Sequence, residues 1–520
     1  MSAGAGTEFN RRRGWHYRAW SLALTLVWLL ACNAAPPSAG AAPRSPLGTN
    51  LYKIRHYSPD LAFVDIARRG GRWLMRPRGS EPILDAEGWI RSLAPGQVAE
   101  MSLLTGWDRV PPGVYTARWE GQGKLDFRGA NVLSQGSHEA KFRFDPKGKR
   151  RALRITETLP SDPIRRVQIF LPGFEDGTTT FHPRFLERWR GFSVLRFMDW
   201  METNNSSISR WEDRPRPQGL QGTDSGVAIE HVIQLANELG SDAWLCVPHQ
   251  ADDDYVRQLA RTVKARLAPG LRVWVEYSNE LWNGHFDQAE YVRGRGVALG
   301  LALEAQEYKA GLRFIARRSV EIFRLFEAEF GGTERLVRVL PGQHSSPKRF
   351  RELLGFEKAH THADAYAVAP YFGGRLSRKE GPRLRAAGLA ALWPELQRDI
   401  EFHAGLMRQN AELASEHGLA LVAYEAGQHL RGSPRDEALT EFLMSANRHS
   451  QMGVLYAAYL KAWRAAGGHT LVHFSSMSKY GKTGSWGALE TFEQDAKAAP
   501  KYRALIDFAK NNPRWWGSGP

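Results

Sequence analysis

The sequence predicts an α/β protein: a (β/α)8 TIM barrel with an all-β, sandwich-like insert between its first and second barrel strands. Three observations predict it. Eight apolar runs of strand length recur along the chain, and from about residue 176 they alternate with segments of helical period. Residues 79–175 change to period-two alternation broken by Gly, Pro and Asn clusters. No glycine-rich phosphate loop follows any run, which weakens the alternative of a doubly wound open sheet.

Composition fits one large domain with a smaller one. The chain has 520 residues, 42% hydrophobic and 24% charged, an ordinary globular balance. Net charge is +15, but the bases are dispersed and no basic helix or nucleic-acid signature occurs, so a generally basic surface explains the charge. Two cysteines exclude a disulfide framework. Cys246 lies in the apolar run Ala243–Pro248 and is expected to pack as a small hydrophobe.

Residues 1–32 have the form of an export signal. Arg11, Arg12, Arg13 and Arg18 precede the apolar run Ser21–Ala31, which is shorter than the roughly 20 residues a membrane span needs. Leu29-Leu30-Ala31-Cys32 resembles a bacterial lipoprotein cleavage box, which makes Cys32 the candidate lipidation site. An ordinary signal cut near Ala42 is the alternative. The expected location is a membrane-anchored lipoprotein, periplasmic or on the cell surface, and otherwise a secreted protein. Residues 33–47, rich in Ala, Pro and Ser, are expected to form a tether.

Residues 48–78 are expected to hold the first barrel strand, Gly48–Ile54, and a helix around Ala62 to Arg69. Residues 79–175 form the insert, with strands around Val114–Glu120, Gly123–Phe127, Glu139–Phe144 and Ile164–Leu171. The barrel resumes over 176–510 with strands at Ser193–Trp200, Ala243–His249, Arg272–Glu280, Leu336–Gly342, Asp364–Phe372, Ala420–Gln428 and Thr470–Ser476. Helical spacing of Ile229, Val232, Ile233 and Ala236 ends at Gly240. Val256, Leu259, Val263 and Leu267 form a second such face, behind the acidic start Asp252-Asp253-Asp254.

In a barrel of this kind chemistry sits at the C-terminal ends of the strands. Those ends are polar and aromatic here. The second carries Arg196 and, just beyond, Asn204; the third His249; the fourth Asn279-Glu280 followed by Trp282. The sixth carries Tyr371, the seventh Glu425, and Trp486 follows the eighth. Glu280 and Glu425 would face each other across the mouth. Two facing carboxylates suit glycoside hydrolysis, one protonating the leaving oxygen and the other attacking the sugar carbon or activating water. Arg196 and Tyr371 would help keep Glu425 ionised. No cofactor or metal is required.

These residues resemble the clan A glycoside hydrolases, retaining (β/α)8 enzymes. The resemblance implies that Asn279-Glu280 is the Asn–acid/base pair of the fourth strand, that Glu425 is the nucleophile of the seventh, and that Tyr371 is the tyrosine beside it. It implies that Arg196, His249 and Trp486 line the same subsite. The stretch Arg196 to Ser207, with Val275–Glu280, also resembles bacterial exported proteins labelled cellulose-binding. The sixth strand departs from the usual His-x-Tyr form, having Ala369-Pro370-Tyr371.

Other polar residues have structural readings. Glu276 lies deeper than Glu280 and is expected in an ion pair. Asp199 and Glu202 are candidate partners of Arg196. His360-Thr361-His362 has metal-like spacing but precedes the sixth strand, at the end of the barrel away from the chemistry. Trp282 and Trp200 are the candidate sugar platforms. The chain is expected to act as a monomer on a carbohydrate substrate, with no nucleic acid and membrane contact only through a lipid anchor. Two other functions fit the same pattern: a non-catalytic carbohydrate-binding protein and a polysaccharide-secretion accessory lipoprotein.

Overall fold

The computed structural model describes residues 45–520 apart from 147, 149, 518 and 520. The export signal, Cys32 and the tether up to residue 44 lie outside the described residues.

Eight parallel strands close into a barrel in chain order: Leu47–Asn50, Val194–Arg196, Asp242–Val247, Val273–Tyr277, Leu336–Pro341, Ala365–Val368, Ala420–Ala423 and Leu471–His473. The first strand pairs with both the second and the eighth, Gly48 lying beside Val194 and Val472. A Cβ on Gly48 would come 2.6 Å from the Val194 carbonyl oxygen, so only glycine allows the two strands this approach. Helices between the strands follow the predicted pattern. Ile229–Leu239 ends at Gly240, whose φ of 64° provides the left-handed cap, and Asp252 caps Asp253–Arg266 by accepting from the Tyr255 amide.

Every predicted barrel strand except Leu336–Gly342 extends two or more residues past the observed one. The fourth ends at Tyr277 rather than Glu280, because Ser278 and Glu280 adopt φ of 54° and 41°, which no ladder accommodates. The seventh ends at Ala423, two residues before Glu425. Polar residues predicted at strand termini therefore stand on the loops that leave the strands.

Between the first and second barrel strands lie two four-stranded antiparallel sheets and a two-stranded one. Strand Leu74–Arg76 already belongs to one of the larger sheets, so the β region begins before residue 79. Aromatic side chains fill its core, Phe127 and Phe142 stacking at 4.4 Å. The helix expected around Ala62 to Arg69 is only a single 3-10 turn, Ile66–Arg69. The helix that precedes the second barrel strand is Pro183–Trp189, after the insert.

The barrel interior is unusual in being charged. Arg196, Trp244, Cys246, Trp274 and Glu276 share the inward parity, with Arg196 beside Trp244, Trp244 beside Trp274 and Cys246 beside Glu276. The two indoles stack at 4.7 Å. Cys246 is buried and in no disulfide, but it is more than a small hydrophobe: its thiol donates to Glu276 Oε2 at 3.5 Å. No helix among the described residues is long and apolar enough to cross a membrane.

Candidate active site

Arg196 is the hub. It ends the second strand, is fully buried, and lies over the rings of Tyr424 at 5.0 Å and Trp244 at 5.6 Å. Its Nε and Nη2 donate to both oxygens of Glu276 at 3.0 and 3.2 Å, the fork-to-fork geometry that suits a guanidinium. Nη1 donates to Asn50 Oδ1 and to Glu425 Oε1, each at 3.1 Å, and Nη2 also reaches Asn279 Oδ1 at 2.9 Å. Burial alone would lower the Arg196 pKa; Cys246, Glu276 and Glu425 around it more than reverse this, and the group stays charged. The Trp244 indole completes the Glu276 carboxylate at 2.8 Å. Glu276 is thus the expected structural ion pair. Asp199 and Glu202 are not partners of Arg196: Glu202 pairs with Arg55 at 2.9 Å, and no ion pair joins Asp199 to Arg196.

Glu425 is held from both sides. Arg196 donates to one oxygen and the Tyr371 hydroxyl donates to the other at 3.0 Å. Burial pushes Glu425 up to about 8; Arg196 pulls it down, Glu280 adds to the rise, and the Tyr371 hydrogen bond opposes it. The effect of Glu280 on Glu425 places the two carboxyl groups within electrostatic reach.

Glu280 is half-buried on the wall of an open cleft of about 510 Å³. The Tyr424 hydroxyl donates to one of its oxygens at 3.1 Å and the Asn283 amide to the other at 2.8 Å. Its left-handed backbone is a strained conformation for a glutamate, which persists only where the surroundings fix it. Asn279 beside it is committed internally, accepting from Arg196 and donating to Asn204 Oδ1 at 3.0 Å. Gln288 locks both asparagines, reaching Asn204 Oδ1 at 2.8 Å and the Asn279 carbonyl at 2.9 Å.

Trp282 and Tyr371 line the same cleft, and Trp282 packs edge-on against Phe350 and Tyr424. Trp486 joins a ring cluster with Tyr371 at 5.6 Å and His429 at 4.6 Å. The His249 ring packs on Tyr291 and meets Gln250. One expectation fails. Trp200 is 1% exposed in an aromatic core with Phe63 and Phe185, its indole donating to the Tyr52 carbonyl, so no sugar can reach it.

No family model and no curated protein matches the sequence. Among solved structures the chain is similar to a GH51 arabinofuranosidase from Xanthomonas axonopodis pv. citri, at 11% identity over 64% of this chain and 66% of that one, with a TM-score of 0.41. A Bacteroidetes-affiliated GH5 cellulase linked with a polysaccharide utilization locus gives 12%, 63%, 86% and 0.39 in the same order. A GH5 family lichenase from Caldicellulosiruptor sp. F32 gives 12%, 63%, 83% and 0.38. All three are glycoside hydrolases. The chain spans slightly less than two thirds of the arabinofuranosidase.

Several site residues had no sequence expectation attached. Asn50 links Arg196 to the Tyr424 carbonyl, to which it donates at 2.9 Å. Tyr424 and Asn283 hold Glu280, and His344 and Gln343 line the cleft. Asn50 ends the first barrel strand, while Gln343 and His344 follow the fifth. The ends of those two strands carried the signal, in Gly48-Thr49-Asn50 and Gly342-Gln343-His344. Among the described residues no group of three or more His, Cys, Asp or Glu is placed to hold a metal ion. His360 meets the Leu354 carbonyl and His362 meets Arg324, so the two rings serve separate packing contacts.

Proposed function

We propose that the protein is a retaining glycoside hydrolase that acts on a polysaccharide or glycoside by double displacement. One observation carries the reading: Glu425 is buried between Arg196 and Tyr371, while Glu280, close enough to feel its charge, lines an open cleft. Glu425 is the nucleophile and Glu280 the acid/base. Burial, with the charge of Glu280, raises Glu425, and Arg196 and the Tyr371 hydroxyl oppose that rise, so the attacking form is the fraction of Glu425 ionised against Arg196. Glu280 then protonates the leaving oxygen as Glu425 attacks the anomeric carbon, and a glycosyl ester forms. Glu280, now a carboxylate, takes a proton from water, which attacks the ester and returns the sugar with its original configuration. Tyr371 steadies Glu425 by its hydrogen bond, Trp282 and Trp486 offer ring faces to the sugar, and Asn204 holds Asn279 in place.

The test is a glycan panel assayed with wild type, Glu280→Gln and Glu425→Gln. Loss of acid/base assistance lowers the rate by about 10²–10⁴, and a 2-deoxy-2-fluoro glycoside should label Glu425 covalently. Hydrolysis unchanged in both variants removes the assigned roles, and glycan binding without turnover by wild type favours a carbohydrate-binding protein instead. Export and anchoring through Cys32 complete the proposal. A Cys32→Ser variant that still partitions wholly with membranes excludes the lipid anchor.

A further inference from the structure

The wall of the cleft opposite in sequence to the two glutamates comes from the fifth strand's loop and the helix after it. Arg349, on the helix Pro347–Gly355, lines the cleft with Glu280. Its guanidinium lies 5.2 Å from the ring centroid of Tyr308, which orients the charge without neutralising it. Neighbouring arginines on this helix and on Glu307–Phe330 are differently employed. Arg313 pairs with Glu352, Arg317 with Glu357 and Arg351 with Glu416. Arg349 faces the cleft, and no carboxylate among the described residues pairs with it.

The surrounding groups do not cancel this charge. His344 and His403 stack at 5.3 Å on the same wall, with a nitrogen contact of 3.2 Å. Burial lowers His344 to about 3, so that ring is neutral; burial also lowers His403, together with Arg375 and against Asp399, whose carboxylate lies 3.6 Å from its Nε2. Asp399 is 2% exposed and accepts the Gly373 amide at 2.6 Å, which withdraws it from the cleft. Glu280 is occupied by Tyr424 and Asn283. Arg375, whose charge is felt at His403, forms no ion pair among the described residues.

We propose that this wall is a subsite for an anionic sugar residue, a uronate or a sulfate ester, held by Arg349. The inference rests on the glycosidase reading and names its substrate class. A neutral sugar offers Arg349 only uncharged hydroxyl acceptors, whereas a carboxylate or sulfate can take two parallel, charge-assisted hydrogen bonds from the guanidinium. The net charge of +15 draws polyanionic glycans toward the protein.

The test uses matched substrates on the full chain: mannan against polymannuronate, cello-oligosaccharides against their C6-oxidised acids, and a galactan against its sulfated form. Acidic members should have the lower KM. Arg349→Ala should raise the acidic-to-neutral KM ratio at least tenfold, and Arg349→Lys should restore part of it. Comparing the uronate and sulfate arms identifies the anion. Calorimetric titration of Glu280→Gln with the same oligosaccharides reads binding separately from turnover. Turnover of neutral members with a KM ratio that Arg349→Ala does not move overturns the inference and leaves the glycosidase intact. Arg349-dependent binding of acidic members without turnover by wild type supports the anionic subsite and overturns the glycosidase. No preferential binding of any acidic member to either protein also overturns the inference.

Discussion

Glutamine is the neutral isostere of a protonated glutamate, so Glu425→Gln isolates what burying this carboxyl does to the fold. The folded-state pKa stands near 8 against 4.5 for the free acid. The folded protein therefore binds more protons than the unfolded chain between those values. Its advantage is complete below 4.5 and is lost as pH rises toward 8. At about 1.4 kcal/mol per pH unit across that window, wild type gives up about 3 kcal/mol by pH 7 and about 5 kcal/mol above pH 8. The Gln variant has nothing to ionise and keeps this stability, while Arg196 retains its two bonds to Glu276. Unfolding entropy of about 2.1 cal/mol/K per residue, over roughly 475 residues, converts 3 kcal/mol into a Tm rise of about 3 °C. The assay is thermal unfolding of both proteins from pH 4 to 9, with urea titrations at the two extremes. The curves should meet near pH 4 and diverge steadily above it. A pH-independent gap, or a wild type that gains on the variant as pH rises, would show that Arg196 and Tyr371 outweigh burial, and would falsify the assigned direction.

The remaining predictions concern the same groups. Activity should rise as pH climbs toward about 8, where Glu425 ionises to the attacking carboxylate; a pH–kcat/KM profile with no such rise between about 6 and 8 contradicts the raised nucleophile. Tyr371→Phe removes a hydrogen bond that favours the ionised Glu425, so the rise in activity should move to higher pH and kcat/KM at neutral pH should drop about tenfold; an unmoved rise assigns Tyr371 to packing alone. Glu276→Gln breaks a buried ion pair and should cost about 3–5 kcal/mol by chemical denaturation, against well under 1 kcal/mol for the exposed Lys124–Glu157 pair cut by Glu157→Gln.

The barrel was legible because each strand is an apolar run with a distinct start, and counting runs gave eight. Strand ends were not legible. Asn279, Glu280 and Gln428 continue a pattern that looks extended, and only the left-handed turns at Ser278 and Glu280 stop the fourth ladder at Tyr277. The site followed from reading residues that leave strands, and Arg196, Asn279, Glu280, Tyr371 and Glu425 meet as that reading expects. Side chains carried by helices escaped it. Arg349 reaches the cleft because its helix packs beside Tyr308, an arrangement fixed by tertiary contacts. Trp200 shows the reverse error: an aromatic residue at a strand end need not point into the mouth, and Trp200 turns outward into the apolar layer with Phe63 and Phe185.

Structural need alone does not explain Glu425. Arg196 is already matched by Glu276, whose oxygens also receive Trp244, so the buried pair is complete without a second acid. Adding Glu425 places one more carboxyl group in a dry site with a single guanidinium to serve two. Removing an ion from water costs several kcal/mol, and the rise of Glu425 toward 8 records that cost. A glutamine at 425 could accept from Arg196 on its oxygen and donate its amide to the Tyr371 hydroxyl, without the penalty. The strained backbone of Glu280 adds about 1–3 kcal/mol on the facing side. Two separate expenses converge on the one pair of residues that a displacement at a sugar carbon needs, and neither improves the packing of the barrel. Local rules broken together at one place, in a chain that obeys them elsewhere, mark a site kept for its chemistry.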